Sequence, residues 1–212
     1  MKKILGFSVI ALAVLSGCTN TSSTSSVASS SQSSLLSDTL VVSPNDTREY
    51  KTLTLENEIE VILVSDPSAE KSAASLSVGV GLLHDPMMQQ GMAHYLEHML
   101  FLGTDQYPDS GSFNNFVSQS GGNTNAWTGT EHTCYYFDIN NQAIEKALAQ
   151  FSRFFIAPLL NPAETEKERN AIEAEFKLKI KDDGRRIYQA HKETVNPAHP
   201  FAKFSVGNLH TL

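Results

Sequence analysis

The chain has 212 residues, of which 41 % are hydrophobic, and a formal net charge of −7 at pH 7. No basic run stands out, which argues against nucleic acid as a partner because phosphate binding needs clustered Lys and Arg. There are two cysteines; Cys18 belongs to a predicted lipidation motif, which leaves Cys134 without a partner in the chain and excludes a disulfide framework.

Residues 1–18 have the pattern of a lipoprotein-type secretory signal. Lys2 and Lys3 precede an apolar run over residues 4–15, which is shorter than the roughly 20 residues of a membrane-spanning helix. The sequence "LSGC" at residues 15–18 resembles the bacterial lipobox, in which the cysteine is lipidated and becomes the mature N-terminus. We therefore expect a lipid anchor at Cys18; the alternative is an ordinary signal peptide with a chance cysteine.

Residues 19–37 consist mainly of Ser and Thr and cannot bury enough apolar surface to offset the entropy of ordering, so a disordered tether is predicted. Residue 19, after the cysteine, is threonine rather than aspartate. By resemblance to the sorting of bacterial lipoproteins, this favours a periplasmic protein anchored in the outer membrane. Residues 38–212, roughly 175 residues, are enough for one domain with a sizeable core.

The hydrophobic pattern along this domain predicts the α+β class. An alternating segment that turns at residues 56–58 indicates a hairpin, and a further strand follows. Helices are expected where the period of the hydrophobic pattern lengthens from that of a strand to that of a helix. Gly103, Pro158 and Pro162 mark their ends. The predicted order is a hairpin over 51–66, a strand over 73–85, helices over 89–102 and 109–120, two strands within 123–139, and helices over 142–156, over 163–182 and from 182 onward.

The first of these helices contains a candidate metal motif, "HYLEH". His94 and His98 are four residues apart, so their side chains lie one turn apart on one face and can converge on one ion. Neutral imidazole is a preferred zinc ligand. Glu97 flanks the same site in the inverted order H-x-x-E-H, which suggests a base beside the metal rather than a ligand. The alternative interpretation is a pair of histidines satisfied within a packed core.

A catalytic zinc site usually needs a third protein ligand. Acidic candidates lie on the helix "ETEKERNAIEAEFKLK", and two of them, Glu168 and Glu175, are seven residues apart and share a face. The residues alone leave the ligand undecided between these two, and such a carboxylate-rich helix can also be a solvated face. The further acidic residues of this helix are Glu164, Glu166 and Glu173.

Four ordered segments now define a family resemblance: "HYLEHMLFLGT" from residue 94, "GGNTNAWTGTEHTCYYFDI" from 121, "ERNAIEAEF" from 168 and "DDGRRIYQAHKETVNPAHPFAKFSVGN" from 182. They resemble the N-terminal domain of the insulin-degrading enzyme and pitrilysin family of inverzincin metallopeptidases, over nearly all of the chain from about residue 40. The resemblance implies a mixed or antiparallel sheet packed against helices, and it makes residues 38–212 a zinc metallopeptidase domain.

The same resemblance implies roles for individual residues. His94, His98 and Glu175 would bind one Zn²⁺ per chain, with Glu97 as general base and Glu168 as a carboxylate that orients the site. Asn125 and Ala126 would lie on an edge strand that pairs with the substrate backbone. Trp127, next on that strand, is expected in the core or on the sheet face rather than in a substrate pocket.

Zinc would lower the pKa of water and polarise the scissile carbonyl, while Glu97 takes the proton and passes it to the leaving amine. A peptide added as an extra strand is read mainly through its backbone, so a loose sequence preference for peptides and small polypeptides is expected.

Family members of this type contain several homologous domains around a chamber, and a later domain supplies groups that stabilise the transition state. We therefore expect this chain to be a fragment, or else a natural truncation, that lacks the C-terminal domains as partners and is inactive when isolated. Two alternatives remain: a non-catalytic structural or peptide-binding subunit, and a peptide-binding lipoprotein whose zinc is structural. The second needs four protein ligands, and no fourth candidate stands out.

Overall fold

The computed structural model of the protein describes residues 40–212. The predicted secretory signal, the lipidation site Cys18 and the tether over 19–37 lie outside the described residues. Within them, five strands and five α-helices follow one another in groups along the chain. The elements are β1 (Glu49–Thr54), β2 (Glu60–Ser65), β3 (Lys71–Val78), α1 (Met92–Leu100), α2 (Ser112–Gln119), β4 (Asn123–Thr128), β5 (Thr133–Asn140), α3 (Ile144–Ile156), α4 (Pro162–Lys179) and α5 (Asp183–Thr194).

The strands form two antiparallel sheets. β1 and β2 make the predicted hairpin, with Glu58 in the turn at a positive φ of 67°. The second sheet has the order β3-β5-β4, so β5 is central and β4 is an edge strand. This arrangement confirms the predicted α+β class with a sheet packed against helices.

The core lies between the three-stranded sheet and helices α2 and α3. Alternate residues of β5 face inward, and Phe137 and Ile139 are at most 1 % exposed. The ring of Phe113 packs edge-on against Phe137, with 5.5 Å between the ring centroids, and the same geometry joins Phe137 and Phe151 at 5.2 Å. Burial of these rings is the main contribution to the stability of this layer.

Several elements differ from the sequence prediction at their ends; the helix predicted over 89–102, for example, spans Met92–Leu100. Two of the differences have a clear cause. The strand predicted over 73–85 ends at Val78, because the backbone N–H groups of Leu82 and Leu83 donate to the tip of the β4–β5 hairpin instead of extending the sheet. The helix predicted from Asp109 begins at Ser112, after Gly111 in the left-handed conformation. The backbone carbonyl of Asp109, not its carboxylate, accepts the N–H of Ser112 at 3.1 Å.

The loop after α1 brings α4 alongside α1. The backbone N–H of Asp105 donates to Ala157 at 3.1 Å, and that of Leu159 donates to Gly103 at 3.1 Å. These bonds fix the chain between α3 and α4, and α4 then starts at Pro162 behind Asn161, whose side chain accepts the N–H of Ala163. Among residues 40–212, no helix combines the length and the apolar character needed to cross a membrane.

Candidate metal centre

Helix α1 presents His94, Glu97 and His98 because its N-terminus is fixed by a residue outside the helix. Gly91, immediately before α1, adopts a left-handed conformation with φ 99°. The buried carboxylate of Asp85 accepts the backbone N–H groups of Gly91 at 2.7 Å and of Ala93 at 2.8 Å. This carboxylate satisfies N–H groups that a helix N-terminus leaves unpaired, and its charge is favourable beside the positive end of the helix dipole.

Helix α4 crosses α1 and supplies acidic side chains to the same region. The hydroxyl of Tyr95 donates to the Thr165 carbonyl at 3.3 Å, which is a direct contact between the two helices. Glu168 and Glu175 both reach the histidines of α1, but they reach opposite ring nitrogens. The two candidates that the sequence could not separate therefore occupy different places.

His94, His98 and Glu175 form one cluster of potential ligand atoms. The Nε2 atoms of the two imidazoles are 3.2 Å apart. The Glu175 Oε2 atom lies 3.5 Å from Nε2 of His94 and 3.7 Å from Nε2 of His98. Within residues 40–212, this is the one group of three or more His, Cys, Asp or Glu residues whose ligand atoms converge in this way.

The other ring nitrogens show which tautomers these histidines adopt. Nδ1 of His94 lies 2.7 Å from the backbone carbonyl of Val206, and Nδ1 of His98 lies 2.6 Å from Oε1 of Glu168. A carbonyl and a carboxylate only accept hydrogen bonds, so each Nδ1 carries the proton. A neutral imidazole then has a lone pair on Nε2. Two such lone pairs facing each other at 3.2 Å are unfavourable unless a proton or a metal cation lies between them.

These separations fit a zinc ion. Nitrogen ligands at 2.0–2.1 Å in tetrahedral geometry are about 3.3 Å from each other. The observed Nε2 to Nε2 distance is 3.2 Å and the nitrogen to carboxylate distances are 3.5 and 3.7 Å. Two imidazoles and one carboxylate also form the ligand set of many catalytic zinc sites, which keep a fourth position for water or substrate.

Glu175 is held as a carboxylate. Burial by itself would raise its pKa, but the hydrogen bond from Lys179 and the charge of that ammonium group outweigh this effect, so the pKa lies below its ordinary value. Lys179, one turn further along α4, donates to Oε1, while Oε2 faces the histidines. The two oxygens of Glu175 therefore have different partners, and one remains directed at the metal position.

Glu97 lies beside this cluster and is not a member of it. Its side chain lines the same cleft, and the residue is 7 % exposed. The hydroxyl of Thr128, at the end of β4, donates to its Oε2 at 2.5 Å. No hydrogen bond to Oε1 is formed within the described part of the chain. The hydrogen bond to Oε2 thus orients Glu97, and Oε1 is available to accept a further hydrogen bond.

The cluster opens into a cleft of about 500 Å³ between α1, α4, α5 and strand β4. Asn125, Ala126 and Trp127 line one wall, and Arg185 and Tyr188 of α5 line another. A second cavity of about 730 Å³ lies between β2 and the three-stranded sheet, and no histidine lines it. Of these two cavities, the cleft is the one that contains the converging histidines and Glu175.

Strand β4 exposes a backbone edge. The Gly129 N–H donates to the His132 carbonyl at 2.8 Å, and because hydrogen-bonded pairs alternate in an antiparallel ladder, Asn125 and Trp127 bond to β5. The N–H and C=O of Ala126 then point to the free edge. Consistent with this, the Ala126 N–H donates to the Asn125 side chain at 2.9 Å.

Several contributors to the site have no clear sequence signal. The Val206 carbonyl, which contacts His94, is a backbone group 112 residues away. Thr128 contacts Glu97 across 31 positions. Trp127, for which the sequence favours a core or sheet-face position, is 45 % exposed at the cleft wall, with its ring edge-on to His132. An alternating strand pattern around Trp127 could have suggested this, since Ala126 and Thr128 are the inward residues.

The chain is similar in sequence to known peptidases. The family model described as Insulinase (Peptidase family M16) matches residues 60–198. The chain is 45 % identical over 177 residues to an insulin-degrading enzyme of Mus musculus, covering 84 % of this chain and 17 % of that protein. It is 44 % identical to Protease 3 of Salmonella typhimurium, covering 84 % of this chain and 18 % of that protein.

A solved structure gives the same result for the fold. The crystal structure of a pitrilysin superposes with a TM-score of 0.80 at 42 % identity, covering 83 % of this chain and 19 % of that chain. The chain thus spans less than a fifth of the length of these relatives.

Proposed function

Because the chain belongs to the insulinase family of peptidases, peptidase family M16, we propose that it is the zinc-binding catalytic part of a metalloendopeptidase that hydrolyses peptides and small polypeptides. The observation that supports this most directly is the convergence of two imidazole Nε2 atoms and one carboxylate oxygen, beside a buried glutamate, in a cleft next to an open strand edge. A structural or peptide-binding subunit has no need of such a set.

In this proposal His94, His98 and Glu175 hold one zinc ion. When bound, zinc supplies Lewis acidity, which acidifies water and polarises a carbonyl. Glu97 acts as general base: Thr128 occupies its Oε2, so Oε1 accepts the proton from the attacking water. The same carboxyl group then gives this proton to the leaving amine as the peptide bond breaks. Glu168 keeps the proton of His98 on Nδ1 and so maintains the metal-binding tautomer.

The substrate would bind as an additional strand at the edge of β4. The outward N–H and C=O of Ala126 would pair with the peptide backbone, and Asn125 would release the Ala126 N–H that its side chain now accepts. Because recognition of this kind uses backbone groups, the preference for side chains is expected to be loose. Turnover would also need groups that are preorganised around the developing oxyanion. We assign these groups to further domains, which the longer relatives have enough residues to form.

The decisive experiment separates metal binding from catalysis. The purified chain should contain about one zinc per molecule, and His98→Ala should lose most of it. Glu97→Gln should retain zinc, because Glu97 lies outside the ligand set.

In a protein with the full set of domains, the same change should reduce peptide hydrolysis by orders of magnitude. The chain alone should cleave a quenched fluorescent peptide no faster than its Glu97→Gln variant. Stoichiometric zinc in His98→Ala, or loss of zinc in Glu97→Gln, would overturn the assignment of roles.

We also propose that the protein is lipid-anchored in the bacterial envelope through Cys18, on the periplasmic side and in the outer membrane. The support is the "LSGC" sequence followed by threonine. Expression in a bacterial host with a labelled fatty acid should label the chain and place it in the membrane fraction, and Cys18→Ser should abolish the label. A mature protein that is soluble and unlabelled would contradict the anchor.

A further inference from the structure

We propose that residues 203–209, which we name the strap, position His94 for the metal, and that the strap is seated by a backbone contact between Gly91 and Gly207. This inference rests on the proposed zinc function of the cluster. It assigns a role to a segment that contributes neither a ligand nor the general base, and it identifies Gly91 and Gly207 as positioning residues.

The strap reaches the metal centre through one hydrogen bond. The backbone carbonyl of Val206 accepts the proton on Nδ1 of His94 at 2.7 Å. This bond holds the imidazole in the tautomer whose Nε2 faces His98, and it fixes the rotation of the ring. The carboxylate of Glu168 on α4 orients the ring of His98 in the same way, by accepting its Nδ1 proton. The two histidines are therefore oriented by different elements, one by a helix and one by the strap.

The strap is anchored beneath α1 by buried lysines. Lys203 is 9 % exposed, and its ammonium group donates to the carbonyls of Leu83 at 2.7 Å and Asp85 at 2.5 Å. Lys192 of α5 is 2 % exposed and donates to the carbonyl of Lys203 at 2.8 Å. Burial of a charge is costly unless it is hydrogen-bonded, so these bonds strongly favour one position of the chain. The same Asp85 binds the N-terminus of α1 through its carboxylate.

The strap also contacts the second metal-bearing helix. The backbone N–H of Leu209 donates to the Glu173 carboxylate at 3.0 Å, and the ring of Phe204 packs edge-on against Phe176 with 5.4 Å between centroids. Glu173 and Phe176 flank Glu175 on α4. The strap thus spans from α1 to α4, and its position sets the relation between His94 and the helix that supplies the third ligand.

Gly91 and Gly207 allow this close approach. A Cβ atom on Gly91 would lie 2.3 Å from the Cα of Gly207 and 2.5 Å from its backbone nitrogen. The atoms in the way are backbone and cannot rotate aside. A side chain at position 91 must therefore lift the strap from α1, which moves the Val206 carbonyl away from His94. The imidazole then loses its fixed tautomer and rotation while all three ligands remain present.

The chain offers a matched control for this test. Gly111 precedes α2 as Gly91 precedes α1, and both are left-handed, with φ of 75° and 99°. Nothing lies within 4 Å of a Cβ built on Gly111. Alanine at either position therefore has comparable backbone strain, but only Gly91→Ala displaces the strap. Gly207 is also left-handed, with φ 83°, so Gly207→Ala has similar backbone strain. It should displace the strap less, because its Cβ meets the flexible end of Leu212 at 2.7 Å and the Gly91 Cα at 3.3 Å.

Zinc affinity should be measured by competition with a chromophoric chelator, together with the visible spectrum of the Co²⁺-loaded chain and the melting temperature. Gly91→Ala is expected to lower zinc affinity by about 10- to 100-fold, the usual effect of losing a partner of a metal ligand. Its Co²⁺ spectrum should change, whereas Gly111→Ala should keep both properties of the wild type. The zinc affinity of Gly207→Ala should lie between those of the other two variants. If Gly91→Ala does not fold, the result for Gly207→Ala tests the role of the strap.

The outcomes separate this inference from the proposed function. A wild-type chain without zinc affinity overturns the metal centre and, with it, the role of the strap. A wild-type chain that binds zinc, with folded Gly91→Ala or Gly207→Ala variants of unchanged affinity and unchanged Co²⁺ spectrum, overturns the strap alone. Equal losses in Gly91→Ala and Gly111→Ala would assign the effect to backbone strain and also overturn the strap.

Discussion

Replacement of Glu168 and of Glu175 by alanine should have different effects on zinc binding, although both carboxylates contact His98. Glu168 accepts the Nδ1 proton at 2.6 Å, on the side of the ring away from the metal position, with 17 % of its side chain exposed. Glu175 lies 3.5 Å from Nε2 of His94, on the metal side. In the proposed metal centre, Glu168→Ala therefore removes an orienting hydrogen bond, whereas Glu175→Ala removes a ligand.

The expected magnitudes follow from these contacts. Loss of the orienting carboxylate should weaken zinc binding by about 10- to 100-fold, which corresponds to about 1.4–2.7 kcal/mol. Saturating zinc should still give one ion per molecule in Glu168→Ala. Glu175→Ala should not retain zinc at concentrations that saturate the wild type, since only two protein ligands remain.

A chelator-competition titration of the wild-type chain and both variants is the appropriate assay. Glu166→Ala is the control, because Glu166 lies on the same helix, is 71 % exposed at its side chain and forms an ion pair with Arg169 away from the histidines. It should bind zinc as the wild type does. If Glu168→Ala loses stoichiometric zinc while Glu175→Ala keeps it, Glu168 and not Glu175 is the ligand, which contradicts the roles proposed above.

Three further predictions concern stability. Phe113→Ala should lower the free energy of unfolding in urea by about 3–5 kcal/mol, because the Phe113 ring is 2 % exposed and contacts three other core rings; a loss below about 1 kcal/mol would contradict its central place in the core. Asn161→Ala should cost about 1 kcal/mol, since its side chain accepts the Ala163 N–H at the start of α4; unchanged stability would show that this cap is not formed. Burial lowers the pKa of Lys192 below its ordinary 10.5, so between the lowered pKa and 10.5 the unfolded chain binds more protons, and the contribution of Lys192 to stability rises with pH. The difference in unfolding free energy between the wild type and Lys192→Met should therefore move in favour of the wild type as the pH approaches 10.5, and a pH-independent difference would contradict this.

The arrangement of the two histidines could be predicted from the sequence because it is local. His94 and His98 are one helical turn apart, so any helix over this segment brings their rings to one face. The hairpin of β1 and β2 was predictable for the same reason, since its alternation and its turn lie within a short segment. Family resemblance supplied the roles that spacing alone left open, including the choice of Glu175 over Glu168.

What the sequence could not supply depends on tertiary contacts. Glu168 and Glu175 share a face of α4, and only the position of α1 across that face decides which ring nitrogen each one meets. β3 ends early because the tip of the β4–β5 hairpin accepts hydrogen bonds from the N–H groups of Leu82 and Leu83. The partner of His94 is a backbone carbonyl, and a backbone carbonyl has no signature in the residue types around it.

The most direct test of the metal centre is anomalous diffraction at the zinc edge from crystals of the zinc-loaded chain. One anomalous peak per molecule is expected, at about 2.0–2.2 Å from Nε2 of His94, Nε2 of His98 and one carboxylate oxygen of Glu175, with Glu97 beside the ion and outside the ligand set. A peak bound by Glu168 or by a fourth protein ligand, or zinc bound elsewhere in the chain, would contradict it.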